Sequence, residues 1–89
     1  MKYREKRIAV EAVKWDGNKI SEVPEWISTA LGLSPNIPGA IMRMDNVIHI
    51  FTKNGMIIAY PGDYIVRNLD GEIYPCSSGL FEITYIKVE

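Results

Sequence analysis

With one cysteine in 89 residues, the chain cannot close an internal disulfide, and small secreted domains ordinarily depend on several. No window approaches the ~18 apolar residues of a membrane-spanning helix. The basic opening "MKYREKR" is not followed by an apolar stretch of signal-peptide length. The sequence therefore predicts a cytoplasmic protein. A single histidine and the absence of CxxC or HExxH spacing leave no candidate metal ligands, and neither metal nor cofactor is expected. Charge is balanced: ten basic and eleven acidic residues give a net charge of −1. A duplex-binding protein carries a basic surplus to displace counterions, so general nucleic-acid affinity is disfavoured. There is no repeat, low-complexity tract, phosphate loop, pair of catalytic carboxylates or serine triad, and the expectation is a protein that is not an enzyme.

What is present suits one small domain over residues 1–89, because a second core would leave each half too little apolar surface to bury. "RIAVEAVKW" (7–15) reads as a first strand, with Ile8, Val10 and Ala12 on one face and Val13 and Trp15 on the other. A bulge near Ala12 would return Trp15 to the core. "SEVPEWISTALG" (21–32) predicts a helix from about residue 22 to 32, capped by Ser21 and ended by a left-handed Gly32. Its buried stripe is Val23, Trp26, Ile27, Ala30 and Leu31. Residues 33–45 read as an irregular connection with a short strand near 41–44.

The remaining signals are turns. Asn54-Gly55 between apolar runs predicts a two-residue type I′ hairpin pairing Phe51 with Ile58 and Ile50 with Ala59. Both faces of that hairpin are apolar, so it should be covered twice, by the helix and by other strands or a second copy of the chain. Tyr60-Pro61-Gly62-Asp63 fits a type II turn. Asp70-Gly71 predicts a second hairpin with Tyr64, Val66 and Ile73 facing the core and Ile65, Arg67, Leu69, Glu72 and Tyr74 facing away. Pairing should stop at Pro75, and "EITYIKV" (82–88) reads as a last strand. The expected fold class is α+β: an antiparallel sheet of about five strands, built from two hairpins and open or curled into a partial barrel, with one packed helix. A homo-oligomer is expected from the doubly apolar hairpin.

Cys76 closes the stretch "GEIYPC", and a nucleophilic cysteine needs a base to lower its barrier. The one candidate, His49, falls in the central hairpin, so a small residue at a strand end is the better role for Cys76, and no catalytic residue is assigned. Asp63 can accept backbone N–H groups in its turn. Alternatively, Asp63, Arg67 and Tyr74 form a ligand-facing strip, since the expected register places Arg67 beside Tyr74 across the hairpin. A guanidinium against a phenol ring can grip a planar anion by stacking and charge. Lys2, Arg4, Lys6 and Arg7 carry a competing reading as a nucleic-acid contact.

Three stretches together resemble a family of small uncharacterised phage and prophage proteins. They are "MKYREKRIAVEAVKW" with Glu11, Ala12 and Trp15; "GMIIAYPGDYIVRNLDGEIYPC" with Pro61, Gly62, Asp63, Tyr64, Gly71, Glu72, Tyr74, Pro75 and Cys76; and "FEITY" with Phe81, Thr84 and Tyr85. The resemblance leaves the helix and residues 33–45 unmatched and carries over no binding residue. It implies a non-enzymatic intracellular binding protein of phage origin. One such role is counter-defence, sequestering a nucleotide-type signal or inhibiting a host defence protein. The alternatives are a nucleic-acid-binding phage regulator and a cysteine-dependent enzyme.

Overall fold

Strand β1 (Glu11–Lys14) pairs antiparallel with β5 (Tyr64–Arg67), and β5 with β6 (Ile73–Cys76), giving a three-stranded sheet of order β1-β5-β6. A second sheet of order β2-β3-β4 comprises Ile41–Met44, Val47–Thr52 and Gly55–Ala59, also antiparallel. Helix α1 spans Glu25–Gly32 and α2 spans Ser78–Thr84. The structure, a computed structural model, describes residues 10–86. The expected single sheet of about five strands with one helix, open or as a partial barrel, is thus corrected. Among the described residues there are two helices and two three-stranded sheets, with no closed barrel. No helix among them is long and apolar enough to cross a membrane.

The core lies between the sheets. Val13, Trp15, Ile65 and Ile73 from one sheet meet Ile41, Ile48, Ile50 and Ala59 from the other, with Ile27 and Ala30 of α1 closing one side. Because side chains alternate along a strand, Val13 and Trp15 reach the core together, and Ala12 takes the opposite face beside Val66. No bulge is needed. Trp15 is tied in by more than packing. Its indole N–H donates to the Asn46 carbonyl at 2.9 Å, its backbone N–H donates to the Asp63 carbonyl, and its own carbonyl accepts from Gly62 N–H. Gly17, at φ +95°, lies so close to Pro61 that a Cβ there would sit 3.0 Å from the proline ring. The two turns at this end of the molecule therefore pack as one unit.

Helix α1 starts later than expected, after Pro24, which has no N–H to give and takes the extended N-cap conformation. Ser21 instead binds β1: its hydroxyl accepts from the Lys14 N–H. The helix ends at an extended Leu33 rather than a left-handed Gly32. Of the predicted stripe, Ile27 and Ala30 are buried and Trp26 half-buried, whereas Val23 and Leu31 are exposed.

The expected strand at 82–88 is helical as far as Thr84, its last residues lying outside the described range. Ser77 caps α2, and Phe81 and Tyr85, four residues apart, both turn onto the β1-β5-β6 sheet. Phe81 stacks on Tyr64 with ring centroids 4.0 Å apart. Pro75 stays inside β6, opposite Ile65. The edge position explains this. Asn68 and Glu72 form a hydrogen-bonded pair, so alternation makes 65↔75 a non-bonded one and the missing N–H costs the ladder nothing.

Candidate functional site

Neither hairpin turn closes on the two residues expected of it; the first uses Lys53-Asn54. In the first, Thr52 pairs with Gly55 and Phe51 with Met56. Asn54 is not at positive φ, and the Thr52 hydroxyl accepts from Asn54 N–H while donating to the Gly55 carbonyl. That slip of two residues leaves every side chain on its expected face. In the second, Asn68 governs the turn: its side-chain oxygen accepts from the N–H groups of Asp70 and Glu72 at 3.0 Å each. Gly71 adopts φ +82°, a conformation that favours glycine, and the loop becomes three residues. An odd loop shifts the register by one, and a shift by one exchanges the faces.

The consequence for the predicted strip is direct. Arg67 pairs with Ile73 and Tyr74 with Val66, so Arg67 and Tyr74 lie on opposite faces of the sheet rather than side by side. Asp63 is occupied in its turn, where its carboxylate accepts the Tyr60 N–H at 2.9 Å. The type II turn itself is present, with Gly62 at φ +96° and Asp63 N–H bonded to the Tyr60 carbonyl. Tyr74 faces α2 and its hydroxyl meets that of Tyr85 at 3.4 Å. This hydrogen bond, with burial adding, pushes the Tyr74 phenol up to about 12. The three residues are therefore not one surface. Lys2, Arg4, Lys6 and Arg7 lie outside the described residues.

Cys76 and His49 do not meet in a catalytic arrangement. Cys76 sits on the α2 face of its sheet beside Tyr64, whereas His49 lies between Met42 and Ile58 on the outer face of β2-β3-β4. Burial first, and then the negative charge of Asp63, push the Cys76 thiol up. Nucleophilic thiols have the opposite environment. Alkylation of the folded protein is expected to be slower at neutral pH than that of an unfolded control and to accelerate on the alkaline side. A thiol-reactive dye measured against pH checks this; rapid labelling near pH 6 would contradict the assignment.

Arg67 does line a cleft, one that the sequence did not reveal. The slip by one residue turns it to the core face, where β1 begins and β5 ends. There its guanidinium donates to Glu11 at 3.0 Å. Across the gap stand Glu25, Trp26, Ala30 and Leu33, with Ile73 on the sheet side, and the enclosed volume is about 540 Å³. That lies within the 300–1,000 Å³ of ligand pockets, although this one is open to solvent. Its apolar wall includes Trp26, Leu33 and Ile73, and its charged groups among the described residues are two carboxylates and one guanidinium, with the Thr29 hydroxyl beside them. The aromatic residue that shares the cleft lining with Arg67 is Trp26 of the helix, not the Tyr74 expected beside it. No protein-family model, curated protein sequence or solved structure matches the chain.

Proposed function

We propose that this chain is a non-catalytic binding protein that takes part of a partner protein into the cleft between α1 and the β1-β5-β6 sheet. The observation that carries the reading is the cleft itself: a half-buried Trp26 facing the Glu11–Arg67 ion pair across about 540 Å³. A protein partner is favoured over a nucleotide-type signal because, among the described residues, the one guanidinium in the cleft is already held by a carboxylate, and a second carboxylate lines the wall. An anion there would meet more repulsion than attraction. The resemblance to small phage proteins supports an accessory or counter-defence role, in the cytoplasm of a bacterial host with a host defence protein as the target.

Partner capture from host cells with wild type and Trp26→Ala tests the reading. One protein should be retained by wild type, lost with the variant, and bound again when purified and mixed with the wild-type chain. Equal retention by both would remove the cleft from consideration. A rise in melting temperature with any mono-, di- or cyclic nucleotide would restore the anion reading.

Self-association belongs to the same proposal. The outer face of β2-β3-β4 carries Met42, Met44, Val47, His49, Phe51, Met56 and Ile58, with no Lys, Arg, Asp or Glu among them. A second copy of the chain is the occupant proposed for it.

A further inference from the structure

Resting on the cleft as the binding site, we infer that its ligand is a basic side chain, a guanidinium or ammonium, presented by an extended segment of the partner protein with apolar residues beside it. Charge decides the class. Among the described residues, Glu11 and Glu25 face the cleft against the single cation Arg67, so that lining is net negative although it contains an arginine. The Glu11 side chain is 60% exposed, and the one hydrogen bond described for it uses one carboxylate oxygen, Oε1. An ionised carboxylate can accept at two oxygens and about four lone pairs, so capacity remains for an incoming N–H donor. Arg67 donates to one oxygen of Glu11 and, being a donor, does not itself bind a cationic ligand, although the two share that carboxylate.

The apolar wall supplies the rest. Trp26 packs on the core while remaining partly exposed, and a guanidinium or ammonium is attracted to an indole face. The cleft is several times larger than one cationic head group. The remaining space, bounded by Leu33 and Ile73, fits the apolar neighbours of that side chain in a peptide. A free polyamine would leave this wall uncovered, which is the argument for a peptide occupant.

The test is amide and indole N–H spectroscopy of the full chain. Its two tryptophans give two indole signals, assigned with Trp26→Phe; that of Trp15 is already hydrogen-bonded to Asn46. The probes are capped tripeptides with arginine, lysine or glutamate between two leucines, together with spermidine and a cyclic dinucleotide. The arginine and lysine peptides should move the Trp26 indole and leave Trp15 unchanged. Glu11→Gln and Glu25→Gln should each weaken that binding about two- to fivefold, the worth of an exposed ion pair. Arg67→Met should leave it unchanged or tighten it, since Glu11 is then freed. If the glutamate peptide or the dinucleotide moves Trp26 and the basic peptides do not, the basic-ligand inference falls while the cleft stands as a site. Spermidine binding as well as the peptides would remove the peptide occupant. If no probe moves Trp26, both the inference and the cleft reading fall.

Discussion

Trp15→Ala is expected to remove about 4–6 kcal/mol of stability and to lower the urea midpoint steeply. Trp15 is 1% exposed and touches both sheets of the core. Truncating a buried tryptophan costs about 3–5 kcal/mol from lost transfer and residual cavity. The Asn46 carbonyl also loses its indole donor, at a cost of about 1 kcal/mol if water does not replace it. A chain of this length has a total stability of about 4–13 kcal/mol at the usual range per residue. The loss is therefore a large fraction of the whole. Trp15→Phe keeps a ring in the core and gives up the hydrogen bond and part of the volume, so it should fold with a lowered urea midpoint. Arg43 sharpens the contrast, because its guanidinium lies 5.2 Å over the indole while bonding to the Asn18 and Asp45 carbonyls. Urea unfolding followed by far-ultraviolet circular dichroism measures all three proteins. A wild-type midpoint for Trp15→Ala would show that the two sheets do not depend on this residue.

Trp15 also illustrates how much of the fold was legible in the sequence. Alternation placed it on one face with Val13, two residues being the period of a strand, but its burial was expected only through a bulge that the structure does not need. The type II turn at Tyr60–Asp63 followed from proline and glycine in the positions that turn requires. The hairpin registers did not follow, for a reason specific to each turn. Asx-Gly between strands suits a two-residue turn, but the Asn68 carboxamide and the Thr52 hydroxyl bond to turn backbone and select other closures. One slip was even and harmless. The other was odd, and it separated Arg67 from Tyr74, so the predicted strip failed on a single residue of loop length. The hairpin between β2 and β3 had a readable signal, Asp45-Asn46 between Met44 and Val47, with Asp45 at φ +55°. It was obscured by the prolines before it.

Helix α2 was misread because its window serves two periods at once. Phe81, Ile83 and Tyr85 alternate as a strand would, while Phe81 and Tyr85 are also one helical turn apart. Ser77, whose hydroxyl accepts from Leu80 N–H, tips the balance toward a helix. Tyr64 and Tyr74 on the sheet then provide the surface that the helix covers. The cleft could not be read from sequence, since it joins residues 11, 26 and 67 through a register that the loop had altered. What sequence could supply was Arg67 itself; the aromatic neighbour expected for it, Tyr74, lies on the opposite face, and Trp26 of the cleft was read only as a core residue.

At tens of micromolar the wild-type chain should elute with a mass moving from 10.1 kDa toward twice that value. Antiparallel sheets that face water normally alternate apolar and polar residues, and the outer face of β2-β3-β4 does not. Its central row runs Met42, His49, Ile58 across the three strands, flanked by Phe51 with Met56 and by Met44 with Val47. Met44 and Met56 remain 46% and 45% exposed. With strands about 4.8 Å apart and up to six residues long, the face spans about 14 by 20 Å. Even with its rim this falls at the low end of protein interfaces, below about 1,200 Å² in total, so the association should be weak and concentration-dependent. A second copy suits the face because two uncharged surfaces related by a two-fold axis bring no like charges together. Met44→Glu and Met56→Glu replace side chains that are half-exposed in the monomer, so each should fold with a stability within about 0.5 kcal/mol of wild type. In the dimer each would bury an unpaired carboxylate, and dissociation should become at least tenfold easier. Light scattering across a dilution series reads both effects. A wild-type chain that stays monomeric at hundreds of micromolar, or glutamate variants that dimerise as well as wild type, would show that this face meets no second copy.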